Sequence, residues 1–223
     1  MRIIRIKYKK EDSVKYVSHL ETIKVFQRAI RRSGLKPKYS QGFNPQMHLI
    51  FGLPLPVGVT SDAEYADIFF EEDYSASDIM KVLPCFIPDG FNMIDCGIRE
   101  NDSNIMNDIE YADYEIKLES EVSKKDIVEQ LSQLEVIEVI KVKQNKEKKL
   151  DIKPLIIKMS TDHDIIRLYC KAGNQTNLHP RLFISAINRY IDQSATEISI
   201  RRKEIYAVRN QKTYTPLEKN ILE

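Results

Sequence analysis

Apolar and polar residues alternate at every second position from Arg2 to Lys9, with Ile4, Ile6 and Tyr8 on one side and Arg5, Lys7 and Lys9 on the other. That is the pattern of a strand with one covered face. From Ser18 the period lengthens to three or four, as Leu20, Ile23, Phe26 and Ile30, with Ala29, recur along what the spacing predicts to be a helix over 18–33, packed on the first sheet. Ser18 and Glu21 form the signature of a capping box at its start, and Gly34 stops it. Strands are predicted over 48–53 and 64–70, a helix from about Ser75 to Leu83 that Pro84 ends, and a strand over 91–98.

The order so far is βαββαβ, a ferredoxin-like unit. After the polar, asparagine-rich stretch 99–110 it returns: strand 111–118, helix 124–134, strands 136–142, 149–159 and 165–170, helix 180–191 and strand 197–208. The expected fold is therefore α+β, with two tandem ferredoxin-like units, the second carrying an extra strand or hairpin whose tip is the charged run 144–149. The domains read as 1–98 and 111–223, joined by a linker over 99–110.

Composition narrows the class. A chain of 223 residues, 42% hydrophobic and 30% charged, suits a globular protein, and no apolar run reaches the roughly 20 residues of a membrane span. The start reads as a strand and not as a signal peptide, and Cys85, Cys96 and Cys170 are too scattered for a disulfide framework, so a cytoplasmic location is expected. The cysteine spacing also lacks the clusters that hold iron–sulfur centres or zinc, and no phosphate-binding fingerprint is present, so neither a metal nor a cofactor is expected.

Charge changes the picture more. The formal net charge is only +1, yet residues 1–50 hold 12 Lys and Arg against 3 Asp and Glu, while residues 51–110 hold 2 against 13. A pole this basic attracts polyanions unless the acidic region neutralises it within the fold.

Ser18-His19-Leu20-Glu21, the helix end RAIRRSGL, the runs YSQGFNP, LPLPVGV and SDAEYADI, and Asn177-Leu178-His179-Pro180 together resemble the radical SAM-linked protein family. Its members are encoded beside, or fused to, a radical SAM protein with a cobalamin-binding domain. The resemblance implies such a protein as partner and implies no activity, since the family is a domain of unknown function. The chain departs from the expected GFNPHP, having Gln46 and Met47 after Pro45 and a histidine only at His48.

Three candidate chemistries follow. Arg28, Arg31 and Arg32, with Lys36, Lys38, Tyr39, Gln41, Gly42, Phe43 and Asn44, join guanidinium groups that bind phosphate to rings that stack on bases, and Arg181 at a helix start is a further anion site. Cations in a last helical turn are equally explained by the macrodipole, and Tyr39 and Phe43 by a core. His19 and His48 are candidates for an acid–base pair, or for a metal site with Asp67 or Glu64. Gly42 and Gly58 allow close backbone approach to a phosphate or a ring, or simply serve turns. The first reading is an RNA-binding accessory that presents substrate to a partner radical SAM enzyme, without membrane association. The alternatives are a stand-alone hydrolase or endoribonuclease using His19 and His48, and a protein-interaction subunit docking through the acidic region 62–110.

Overall fold

In the computed structural model, which describes residues 2–99, 104–143, 146–174, 176–209 and 211–218, the alternating start of the chain is strand β1 (Arg2–Lys10). Then come α1 (His19–Arg32), β2 (Leu49–Phe51), β3 (Thr60–Phe70), α2 (Ala76–Val82), β4 (Phe91–Arg99) and a single helical turn, α3 (Ile105–Asp108). Next are β5 (Ile109–Glu119), α4 (Lys124–Gln133), β6 (Glu138–Lys143), β7 (Lys146–Asp151), β8 (Ile156–Asp162), β9 (Ile165–Lys171), α5 (Pro180–Tyr190), β10 (Thr196–Arg209) and β11 (Lys212–Tyr214). The fold is mixed α+β, with mostly antiparallel pairing and five helices among the described residues. No helix of the described residues is long and apolar enough to cross a membrane.

Two compact units divide the chain: Met1–Ile109 with Glu204–Glu223, and Glu110–Lys203. The C-terminal strand, read from sequence as part of the second half, thus belongs in part to the first. Of the expected 99–110 connection, residues 100–103 lie outside the described residues, as do residues 144 and 145 of the charged hairpin tip.

In the first unit the strand order is β4-β1-β3-β10, with β2 and β11 as short additions to β3 and β10. The one-face pattern of β1 has a direct outcome, because Ile4 and Ile6 stand opposite Ile68 and Ala66 on one side and Ile98 and Cys96 on the other. Apart from Ile98, which is exposed near the end of β4, this face is buried with Phe26, Ala29 and Ile30 of α1 and Ile79 of α2. Leu20 does not join it and is 68% exposed, whereas Thr22 is buried. At 100° per residue, Thr22, Phe26, Ala29 and Ile30 centre the stripe roughly 135° away from Leu20. The Thr22 hydroxyl tolerates burial because it donates to the Ser18 carbonyl at 2.9 Å. Ser18 caps the helix through the Glu21 amide, but the Glu21 carboxylate pairs with Lys24 at 2.7 Å, so the second half of the expected capping box is replaced by an ion pair.

On the other face, Arg5 and Asp67 stand opposite each other in the β1–β3 ladder, both buried. Arg5 Nε and Nη2 donate to the two Asp67 oxygens at 2.6 Å each, and Nη1 donates to the Pro216 carbonyl at 3.1 Å. Lys7 and Tyr65 both donate to Glu204, and burial, then the nearby Glu204 charge, pushes the Tyr65 hydroxyl pKa far up. The segment after β11 covers this polar layer, with Leu217 against Gly97.

The second unit has the order β10-β5-β9-β8, with β6 and β7 as a separate two-stranded sheet. Here the expected strand over 149–159 is two strands parted by a short 3-10 turn, Lys153–Leu155, which contains Pro154. Proline has no amide to donate to a ladder, so the run breaks there.

Candidate nucleic-acid interface

The end of α1 is built to expose its cations. Arg28, Arg31 and Arg32 fall off the buried stripe, Ser33 closes the helix, and Gly34 takes a φ of +77°, which lets the chain reverse and bury Leu35. The next residues run along β3: the Lys38 amide donates to the Phe69 carbonyl at 2.7 Å and the Glu71 amide to the Lys36 carbonyl at 3.1 Å. Tyr39 and Met47 form a bridge, reinforced where Ser40 N donates to the Gln46 carbonyl and Gln46 N to Ser40 Oγ. Met47 is buried and Tyr39 is half-buried against the core, so the base of this loop is fixed. Its tip, Gln41 to Pro45, is exposed, and Phe43 is as accessible as an isolated side chain (113%). Gly42 at the tip has a φ of +145°, which favours glycine.

Within the first unit the acidic region neutralises part of the basic pole. Arg2 pairs with Asp73 at 3.6 Å, Arg5 with Asp67 at 2.6 Å and Lys36 with Glu72 at 2.6 Å, while Lys15 and Lys24 pair with neighbours in sequence. Arg28, Arg31 and Arg32 are exposed and form no salt bridge or side-chain hydrogen bond among the described residues. The available charge is therefore concentrated on the last turns of one helix.

A groove lies on either side of that ridge. One, of about 270 Å³, is lined by Val25, Arg28, Ala29, Arg32 and the segment Cys85, Phe86, Ile87 and Pro88. The other, of about 290 Å³, is lined by Arg31, Leu35, Lys36, Pro37, Tyr39 and Glu71. Each combines guanidinium donors with a ring and aliphatic surface, which is the chemistry that holds a sugar–phosphate backbone and its bases. Sequence reasoning missed Phe86 and Glu71. Pro84 marks the end of α2 and the following run is apolar, but no local signal says that it faces the arginines of α1.

Other candidates are placed elsewhere. Arg181 lies in the second unit, where its Nε and Nη2 donate to the two Glu197 oxygens at 2.7 and 3.0 Å. His19 rests edge-on against Phe51 and His48 against Phe69, ring centres 5.6 Å apart in each case. Phe51 is in the core beneath α1, whereas His48 and Phe69 are one residue out of phase with the paired Leu49 and Ile68 and so point to the opposite face. The two histidines thus share no acid–base geometry, and Asp67, offered as their metal partner, has both oxygens on Arg5. Among the described residues, no group of three or more His, Cys, Asp or Glu is placed to hold a metal ion. Cys85 is exposed; Cys96 and Cys170 are buried free thiols, and burial pushes their pKa values up to about 11 and about 12.

In the second unit the His179 ring Nδ1 accepts from the Arg181 amide at 3.2 Å and caps α5. Burial, followed by the Arg181 and Lys141 charges, holds its pKa below the usual histidine value. It is a structural cap and not part of the arginine ridge.

Residues 3–180 match the family model described as "Uncharacterized protein conserved in bacteria (DUF2344)". No curated protein matches the chain.

Proposed function

We propose that this chain, which belongs to that family of bacterial proteins, is an RNA-binding accessory whose contact surface is the end of α1 and the loop after it. One observation carries the reading: Arg28, Arg31 and Arg32 are left without carboxylate partners between two grooves, while other cations of the same basic pole are paired. Guanidinium groups outside any salt bridge keep their donors for phosphate, and Tyr39, Phe43 and Phe86 offer rings nearby for bases. We read the strand orders β4-β1-β3 with β2, and β10-β5-β9-β8, as two ferredoxin-like arrangements, an architecture that suits such surfaces without dictating them. The partner we propose, on the family resemblance of the sequence motifs, is a radical SAM protein with a cobalamin-binding domain, to which this chain presents its RNA.

The test is fluorescence anisotropy of the purified chain with labelled bulk cellular RNA across a salt series. Binding whose log affinity falls linearly with log salt, by about 0.7 per phosphate contact on a single strand, supports the reading. Absent or salt-independent binding overturns it.

A further inference from the structure

The groove beside Arg31 contains a residue that phosphate binding does not explain. Leu35 and Pro37 are buried and give it an apolar floor; Tyr39 supplies a ring, and Arg31 and Lys36 supply cations. Glu71 also lines it, exposed; its charge acts on the Lys36 ammonium, but that ammonium is held by Glu72 at 2.6 Å, and the Glu71 carboxylate takes neither a salt bridge nor a hydrogen bond among the described residues. A carboxylate is an acceptor only, so it repels a phosphate and needs donors from whatever lies over it. About 290 Å³ is at the small end of ligand sites, enough for a single base. Among the four RNA bases, guanine alone presents two adjacent donors on its Watson–Crick edge, N1–H and N2–H, which match the two oxygens of one carboxylate. Adenine, cytosine and uracil each set an acceptor beside the donor.

We propose that this groove binds an unpaired guanine, with Tyr39 as the stacking face, Glu71 as the acceptor of N1–H and N2–H, and Arg31 on a neighbouring phosphate. The proposal rests on the RNA-binding reading above and sharpens it in two ways. It names the base, and it requires a single strand, because the edge that Glu71 reads is the one a duplex hides.

Anisotropy titrations at about 50 mM salt compare labelled strands of about 12 nucleotides: uridine throughout, uridine with one central guanosine, the same with inosine, and the guanosine strand annealed to its complement. The guanosine strand is expected to bind roughly 5- to 150-fold tighter than the uridine strand, the range of a good bidentate base contact. Inosine, which lacks the N2 amine, is expected to lose most of that ratio, and Glu71→Gln to bring it close to one. Equal binding of guanosine and uridine strands, a preference for the duplex, or a ratio that survives Glu71→Gln overturns the guanine site; salt-sensitive binding of every strand would then still stand for the RNA reading. No salt-sensitive binding of any strand overturns both.

Discussion

Helices α5 and α1 both carry arginines on exposed turns, and the two units dispose of them differently. In α5, Arg181 is held by both oxygens of Glu197 and Arg189 reaches Glu138 at 3.2 Å. In α1, Arg28, Arg31 and Arg32 form no salt bridge among the described residues, although residues 51–110 hold 13 acids, Glu71 lines the groove beside Arg31 and the Arg28 charge reaches Glu21. A paired guanidinium must give up its partner before it can take a phosphate, and an unpaired one need not. The comparison teaches that the number of cations on a helix says little about anion binding; the neighbours that the fold assigns to them decide it.

The paired side of the comparison is expected to break first at Arg5. Its pair with Asp67 is buried, so Arg5→Ala leaves an uncompensated carboxylate and should cost about 3–5 kcal/mol, read from the denaturant midpoint. A loss under about 1 kcal/mol would mean that pairing does not define a structural arginine here. The unpaired side is tested by Arg28→Ala, Arg31→Ala and Arg32→Ala together. The salt slope of RNA affinity should flatten by about 2, at about 0.7 per contact, while the stability read from the denaturant midpoint changes by less than about 0.5 kcal/mol. Unchanged affinity with lost stability would reverse the assignment. Arg181→Ala, breaking a partly exposed pair, should cost only about 0.2–1 kcal/mol and leave RNA affinity as it was; weakened binding would draw α5 into the interface.

The smallest effect separates the two caps. Ser18 does not titrate, whereas His179 caps α5 through an unprotonated Nδ1 and has a depressed pKa. The unfolded chain takes up that proton near its ordinary value while the folded one resists, so stability should fall as pH drops from about 7 to 5. His179→Asn keeps a cap acceptor and should flatten that dependence in urea titrations at several pH values; an unaltered slope would rule out His179 as its source.

Much of this was legible in the sequence where local chemistry decides. The helix expected over 18–33 spans His19–Arg32 because a serine cap and a glycine stop fix both ends, and β4 falls within one residue of its alternation. β3 starts at Thr60, four residues early, because Thr60 to Ala63 carry no apolar alternation and are recruited by the ladder with β1, where Ser61 stands opposite Lys10. Long-range pairing escaped altogether. Nothing near Arg181 announces Glu197, sixteen residues on, and nothing near Arg28 announces Phe86 across a groove. Leu20 was misplaced for a subtler reason: its spacing from Ile23 is helical, but the buried stripe is turned toward Thr22, whose hydroxyl the helix itself satisfies.

The hydrogen bond from Arg5 to Pro216 spans 211 residues of sequence. On a ribosome adding about 5–20 residues per second, Arg5 waits roughly 10 to 40 s between its own synthesis and the arrival of that carbonyl. Through this interval the layer holding Arg5, Asp67 and Tyr65 lacks the covering that Pro216 and Leu217 provide, while everything from Glu110 to Lys203 is being made. The first unit is therefore the first begun and the last finished, and a nascent chain holds a half-covered charge pair for as long as its second unit takes to be made.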